Sequence, residues 1–257
     1  MRLKNICFFI ILLLSQLSFA EENKNFGNIY ARADLWCPYN CKPGDENPGY
    51  LVEILQKAFG KENIKYETMN WARAITETRS GTYDLIIAAA KEDAPDFPLS
   101  IQIGKSRNCF FTLEKKNIKF VDLKSLEKIK LGIAKDYSYY KELDEYIAKN
   151  KENENKINES FGDIVLEKFI NKLTHQEIDA FVEDPVVVKY FLKQNQDITV
   201  QLKTIGCGNS TDLYFGFAPN KKESTERILQ INKTVKEMIK SGEMERIIKK
   251  YGILKWF

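Results

Sequence analysis

The chain has 257 residues, 39 basic and 36 acidic, and a formal net charge of +3 with its single histidine neutral. Arg2 and Lys4 fall in an N-terminal leader, so the remainder carries 37 basic against 36 acidic residues, a near balance that excludes a basic nucleic-acid-binding surface. About 237 residues after the leader suffice for one large domain or two small lobes, each burying its own core.

Residues 1–20 read as an export signal: MRLKN is basic, ICFFIILLLSQL is apolar throughout, and Ser18-Phe19-Ala20 fits a signal-peptidase site. Cys7 lies inside the apolar run and not just after the cleavage point, so a cleaved leader is expected and a lipid anchor is not. No later stretch approaches the ~18 apolar residues of a membrane span. NIYARAD alternates as a strand ending at Asp34, followed by WCPYNC and the turn-rich CKPGDENPG. Leu51, Ile54, Leu55, Ala58 and Phe59 recur at helical spacing before Gly60. IKYET is a second predicted strand, WARAITETRSG an amphipathic helix ending at Gly81, and DLIIAAA a buried strand. Strand, helix, strand, helix, strand predicts a parallel sheet with helices on its faces.

The grammar then restarts. CFFTL is a predicted strand, SLEKI a short helix, KLGIA a strand, and DYSYYKELDEYIAKN a helix with Asp136 as its N-cap. KNKENENKINES is too polar to build a core. Phe161, Ile164, Val165, Phe169, Ile170 and Leu173 mark another helix, IDAFV a strand, and PVVVKYFL a helix opening at Pro185. LYFGFAP returns as a strand, and two helices follow from about Ser224 to Tyr251. Two α/β lobes result, and ligands of such sheets bind beyond the carboxyl ends of the strands.

Four cysteines remain after the leader, Cys37, Cys41, Cys109 and Cys207, and an even number in an exported chain implies disulfides. Zinc would need both pairs to gather at one site, and His175, in the polar stretch KLTHQEID, reads as a surface residue. The spacing of Cys37 and Cys41 is C-x-x-x-C, not the C-x-x-C of redox sites. Neither a metal nor a cofactor is expected.

Several segments, in their order and spacing, resemble the periplasmic solute-binding proteins of polar amino-acid type, family 3, that feed ABC importers. They are the strand ending at Asp34 with Pro38-Tyr39 after it, Gly49-Tyr50, NWARAI, GTYDLIIA, SLEKIKLGIAKDYSYY, IDAFVEDPVV and the terminal KKYGI. The likeness covers nearly the whole chain after the leader. It implies an α/β, two-lobed type II periplasmic-binding-protein fold with two hinge crossings, residues 21–107 and 213–257 forming lobe I and 108–212 lobe II. The implied function is capture of a small polar or amphipathic, amino-acid-like solute between the lobes by a periplasmic monomer, and delivery to an ABC transporter permease in the inner membrane. Two alternatives share the fold: a dehydratase-like periplasmic enzyme using Asp34, Glu183 and Asp184 as acid and base, and a ligand-sensing subunit of a membrane signalling partner. No nucleophile–base pair, metal set or phosphate loop is visible in the sequence, so no catalytic residue is assigned.

The resemblance also implies the ligand contacts. Asp34 and Trp36 end the first strand, Trp71 offers a stacking ring, and Tyr137, Ser138 and Tyr139 open a helix whose free N–H groups face the cleft. Asp184 matches the acid that pairs with a ligand amino group. Where amino-acid-binding members carry hydroxyl residues and an arginine, this chain reads AAAKEDAPDF, so a bidentate carboxylate fork is missing and Arg73 or Lys91 is expected to supply the cation. Cys37 is expected to pair with Cys41, stapling the loop that presents Trp36 and Tyr39. A Cys109–Cys207 bridge would close about a hundred residues and contribute ~4–5 kcal/mol in the chain-entropy model. Truncating Trp71 is expected to weaken binding about tenfold or more while leaving the melting temperature of the empty form nearly unchanged.

Overall fold

In the computed structural model, which describes residues 25–162 and 164–257, the alternating segment forms β1 (Ile29–Ala33), with Ile29, Ala31 and Ala33 buried. The expected leader, residues 1–20, lies outside the described residues. α1 (Tyr50–Phe59) buries Leu51, Ile54, Leu55 and Ala58 along one face, and Gly60, at φ 89°, ends it. β2 (Ile64–Thr68), α2 (Trp71–Arg79) and β3 (Leu85–Ala89) complete a first unit in which β1 pairs in parallel with both neighbours.

β4 (Gly104–Leu113) carries the chain into a second unit. After a 3-10 turn at Leu123–Lys128 come β5 (Leu131–Ala134), α3 (Lys141–Asn150), β6 (Ile157–Ser160), α4 (Val165–Thr174), β7 (Ala180–Glu183) and α5 (Pro185–Gln194). β5 is parallel to both β6 and β7. β8 (Leu202–Phe217) returns to the first unit, where α6 (Glu223–Ser241) and α7 (Glu243–Tyr251) pack against α1. The strand order is β2-β1-β3-β8-β4-β7-β5-β6. The sheet is therefore mixed: β8 runs antiparallel to β3 and β4, and β4 antiparallel to β7.

β4 and β8 are the two strands that connect the units, and they lie side by side from Gly104 opposite Leu213 to Leu113 opposite Leu202. The boundaries read from the sequence, after 107 and after 212, fall inside these strands. Cys109 and Cys207 are facing residues of the pair and are disulfide-bonded; Cys37 and Cys41 are bonded within their loop. Asp84, just before β3, ties the start of α6 to the first unit. Its Oδ1 accepts bonds from Lys221 Nζ and Arg227 Nη1, both at 2.7 Å, and its Oδ2 accepts the Tyr30 N–H at 2.8 Å.

Three expectations are corrected. α3 begins at Lys141 with Tyr140 at its N-cap position, so DYSYY is a loop; Asp136 adopts φ 65°, which a helix cannot include, and Tyr139 turns inward, its hydroxyl oxygen accepting the Ala134 N–H at 2.9 Å. Polar KINES contributes the edge strand β6, whose Ile157 and Ser160 are buried. β8 spans 16 residues, far beyond LYFGFAP, because pairing with β4 holds the polar, glycine-bearing part of it in place.

Candidate functional site

The loop after β1 folds tightly on itself. Trp36 and Asn40 exchange backbone hydrogen bonds at 2.9 and 3.0 Å, the Cys37–Pro38 peptide is cis, and the Trp36 ring stacks on Tyr39 with centroids 4.1 Å apart and planes at 13°. The loop thereby presents two polar ring atoms to the end of β7. The Trp36 indole N–H donates to Glu183 Oε1 at 3.0 Å, and the Tyr39 hydroxyl lies 3.1 Å from Asp184 Oδ2. Both bonds join the first unit to the second.

Trp71 is the first residue of α2, held there because the Asn70 side chain accepts the Arg73 N–H as an N-cap. Its ring packs with Ala74, Ile86 and Phe97, leaves 6% of its surface exposed, and approaches Tyr137 edge-on at 6.4 Å. Beyond β3, Asp93 accepts the Ala90 N–H at 2.7 Å and, from the second unit, the Ser138 N–H at 3.1 Å. Ala88, within β3 and lining the same cavity, is held at φ 65°, a conformation costly for a residue with a Cβ.

The connecting strands supply the floor. Strand alternation turns Ser106 and Asn108 inward while Lys105 and Arg107 point to solvent, and β8 likewise offers Thr211 and Leu213. Asp184 is the N-cap of α5: its carboxylate accepts the Val186 N–H at 2.7 Å and the Arg107 N–H at 2.6 Å, and only 2% of the residue is exposed. These elements enclose a cavity of about 50 Å³. Trp36, Tyr137 and Glu183 separate it from a wider hollow of about 310 Å³ lined by Val165, Val187, Tyr190 and Phe191, among others.

Desolvation dominates the electrostatics. Burial pushes Glu183 up to about 7, against the pull of the Asp184 N–H and the Trp36 indole, and the charges of Asp184 and Asp34 push it further. Burial raises Asp93 to about 6 in spite of its bonds from Ser138 and Ala90, and raises Asp184 in spite of four donors. Tyr39 is held well above the usual phenol range by burial and then by Asp184. In each case burial disfavours the charged form of the carboxyl group.

Of the residues singled out in the sequence, Asp34, Trp36, Trp71, Tyr137, Ser138, Tyr139 and Asp184 line the cavity together. Arg73 and Lys91 do not. The Arg73 guanidinium is exposed and bonds Glu77 one helical turn along α2, and Lys91 is exposed on a separate surface hollow with Tyr140 and Tyr214. The N–H groups expected to face a ligand are also engaged, Ser138 by Asp93 and Tyr139 by Asp144. Asp93, Ser106, Asn108 and Thr211 were not legible as site residues. Asp93 sat in a segment read for its cations, and the other three lie on strands whose extent only their pairing defines. His175 is exposed, as read, and among the described residues no three His, Cys, Asp or Glu side chains converge as metal ligands would.

A two-lobed α/β architecture joined by paired crossing strands, with a cavity drawing walls from both lobes, defines the class of bilobal solute-binding proteins. Residues 30–253 match the family described as bacterial extracellular solute-binding proteins, family 3, and the chain belongs to that family. No curated protein sequence matches it significantly. Solved structures share the fold at low identity. A mutant of the arginine-binding protein of T. maritima superposes with a TM-score of 0.68 at 16% identity, covering 87% of this chain and 94% of that one. A structure from the glutathione import route of Streptococcus mutans, which uses a cystine ABC importer, gives 0.71 at 17% identity over 89% and 95%. A histidine kinase sensor domain similar to periplasmic binding proteins gives 0.72 at 16% identity over 91% and 100%.

Proposed function

We propose that this chain is a monomeric periplasmic receptor that captures one small polar or amphipathic, amino-acid-like solute between its lobes and delivers it to the permease of an ABC importer. The observation that carries this reading is the cavity itself, whose walls come from β1, α2 and the turn after β3 on one side and from the β5–α3 loop and the end of β7 on the other. Lobe I then comprises 21–107 and 213–257 and lobe II 108–212, with residues 1–20 removed on export. The likeness to a protein of an import route that uses an ABC importer supports the transporter partner. Micromolar capture requires about −8 kcal/mol, within reach of a stacked ring and a few charge-assisted bonds. No chemistry is assigned to the carboxylates. Native mass spectrometry of the purified protein with a metabolite extract should find one bound compound per chain, released unchanged; turnover of that compound would favour an enzyme instead.

A ligand-sensing subunit is the second reading, favoured by the likeness to a histidine kinase sensor domain over that domain's full length. Co-purification from the membrane fraction with a signalling protein, and not with a permease, would select it.

A further inference from the structure

Asp93 is bonded from both lobes at once. Oδ2 takes the Ala90 N–H at 2.7 Å and Oδ1 the Ser138 N–H at 3.1 Å, and all three residues line the cavity. The next amide, that of Tyr139, is taken in the same way by Asp144 at 3.0 Å. The Asn108 amide donates to Asn209 O and Thr211 Oγ1 at 2.7 and 2.9 Å. A carboxylate entering from solution therefore meets donors that the protein has already engaged. No lysine, arginine or histidine is among the described residues lining the cavity. It meets instead Asp34, Asp93, Glu183 and Asp184 in a desolvated space, where like charges repel strongly. The rings are an independent feature of the same walls: Trp36 and Trp71 offer indole surfaces, which attract cations and not anions.

Resting on the solute-receptor reading, we infer that the cavity selects a small organic cation, an amine without a carboxylate, and that Asp93 fills from within the place a ligand's acid group would take. The acid group that bridges the two lobes is supplied by the protein, so the ligand needs only the positive end. Specificity then arises partly by exclusion, since an amino acid brings a charge for which the walls hold no free partner.

The test uses the full-length mature chain and four pairs of compounds that differ only in the carboxylate: ethanolamine and serine, isobutylamine and valine, putrescine and ornithine, tyramine and tyrosine. Titration calorimetry at pH 7.5 should find at least one amine binding one to one and about tenfold or more tighter than its amino acid. An amino acid that binds as tightly as its amine, or silence from all four amines, overturns the inference. The broader reading is judged separately by whether any metabolite co-purifies, so the two can fail independently. Asp93→Asn removes the charge at nearly constant volume while giving up one of the two accepted N–H bonds, and should lower the amine's affinity about tenfold; an unchanged affinity also overturns the inference. Asp93→Ala frees the Ala90 and Ser138 amides, and should narrow the gap between amine and amino acid.

Discussion

At Trp71 packing and recognition share one ring. The side chain is nearly buried against Ala74, Ile86 and Phe97 while its remaining surface faces the cavity and Tyr137. The sequence-based expectation that alanine here would leave the empty protein's melting temperature unchanged therefore needs correction. Truncating a buried tryptophan costs about 3–5 kcal/mol, and about 2–4 °C per kcal/mol for a chain of this size gives a fall of roughly 10 °C. Trp71→Phe retains most of the packing and is the variant that isolates binding. Its melting temperature should stay within a few degrees of wild type while affinity for the solute drops several-fold by calorimetry. Unchanged affinity in Trp71→Phe together with an unchanged melting temperature in Trp71→Ala would remove the ring from both roles.

Among the elements, β4 and β8 do the most to place the site, and only one end of each was legible, β4 through CFFTL and β8 through LYFGFAP. The helices announce themselves through apolar residues three and four apart, and β1, β2, β3, β5 and β7 through short apolar or alternating runs. β8 carries TIGCGNSTD through its middle, a stretch whose polarity and glycines argue against a strand until β4 is laid beside it. Its inward residues were invisible for the same reason. DYSYY failed differently: its spacing continues that of α3, but the left-handed backbone at Asp136 and the inward turn of Tyr139 are tertiary effects. By contrast, the rings after β1 and at α2 and the acid before Pro185 could be read, because a turn residue or a helix cap fixes each of them locally.

The covalent link between these strands carries its own expectation. Cys109 and Cys207 stand 98 residues apart, enclosing the whole second unit. In the chain-entropy model a loop of that size contributes about 4–5 kcal/mol, so the double variant Cys109→Ser/Cys207→Ser should melt roughly 10–15 °C below wild type in a calorimetric scan. The Cys37–Cys41 loop closes too few residues for a comparable effect, and opening it should instead disturb the Trp36 and Tyr39 contacts to Glu183 and Asp184.

At the scale of the whole molecule, buried carboxylates set opposing pH dependences. Glu183 is raised to about 7, and Asp93 and Asp144 to about 6, each first by burial. Unfolded carboxyls titrate near ~4, so between that pH and 6–7 the folded protein holds protons the unfolded chain has lost, and stability falls as pH rises through the window. Asp84 acts the other way. Burial raises it, but Lys221, the Tyr30 N–H and Arg227 outweigh burial and hold it below the ordinary range, so its contribution is present above about pH 4 and is lost as pH falls through its folded value. The ligand-free protein should therefore melt highest near about pH 5 and several degrees lower at about pH 8, with Glu183→Gln flattening that slope in a differential scanning fluorimetry series. A flat profile in wild type would mean that these groups are hydrated in the folded form.

Of the three tryptophans in the chain, two stand at the junction of the lobes, and one of them lends its indole N–H to an acid on the opposite side. Parting the halves would break that bond and wet both fluorophores, shifting their emission to longer wavelength. Its intrinsic emission would therefore report any separation of the halves in dilute solution, with no label attached.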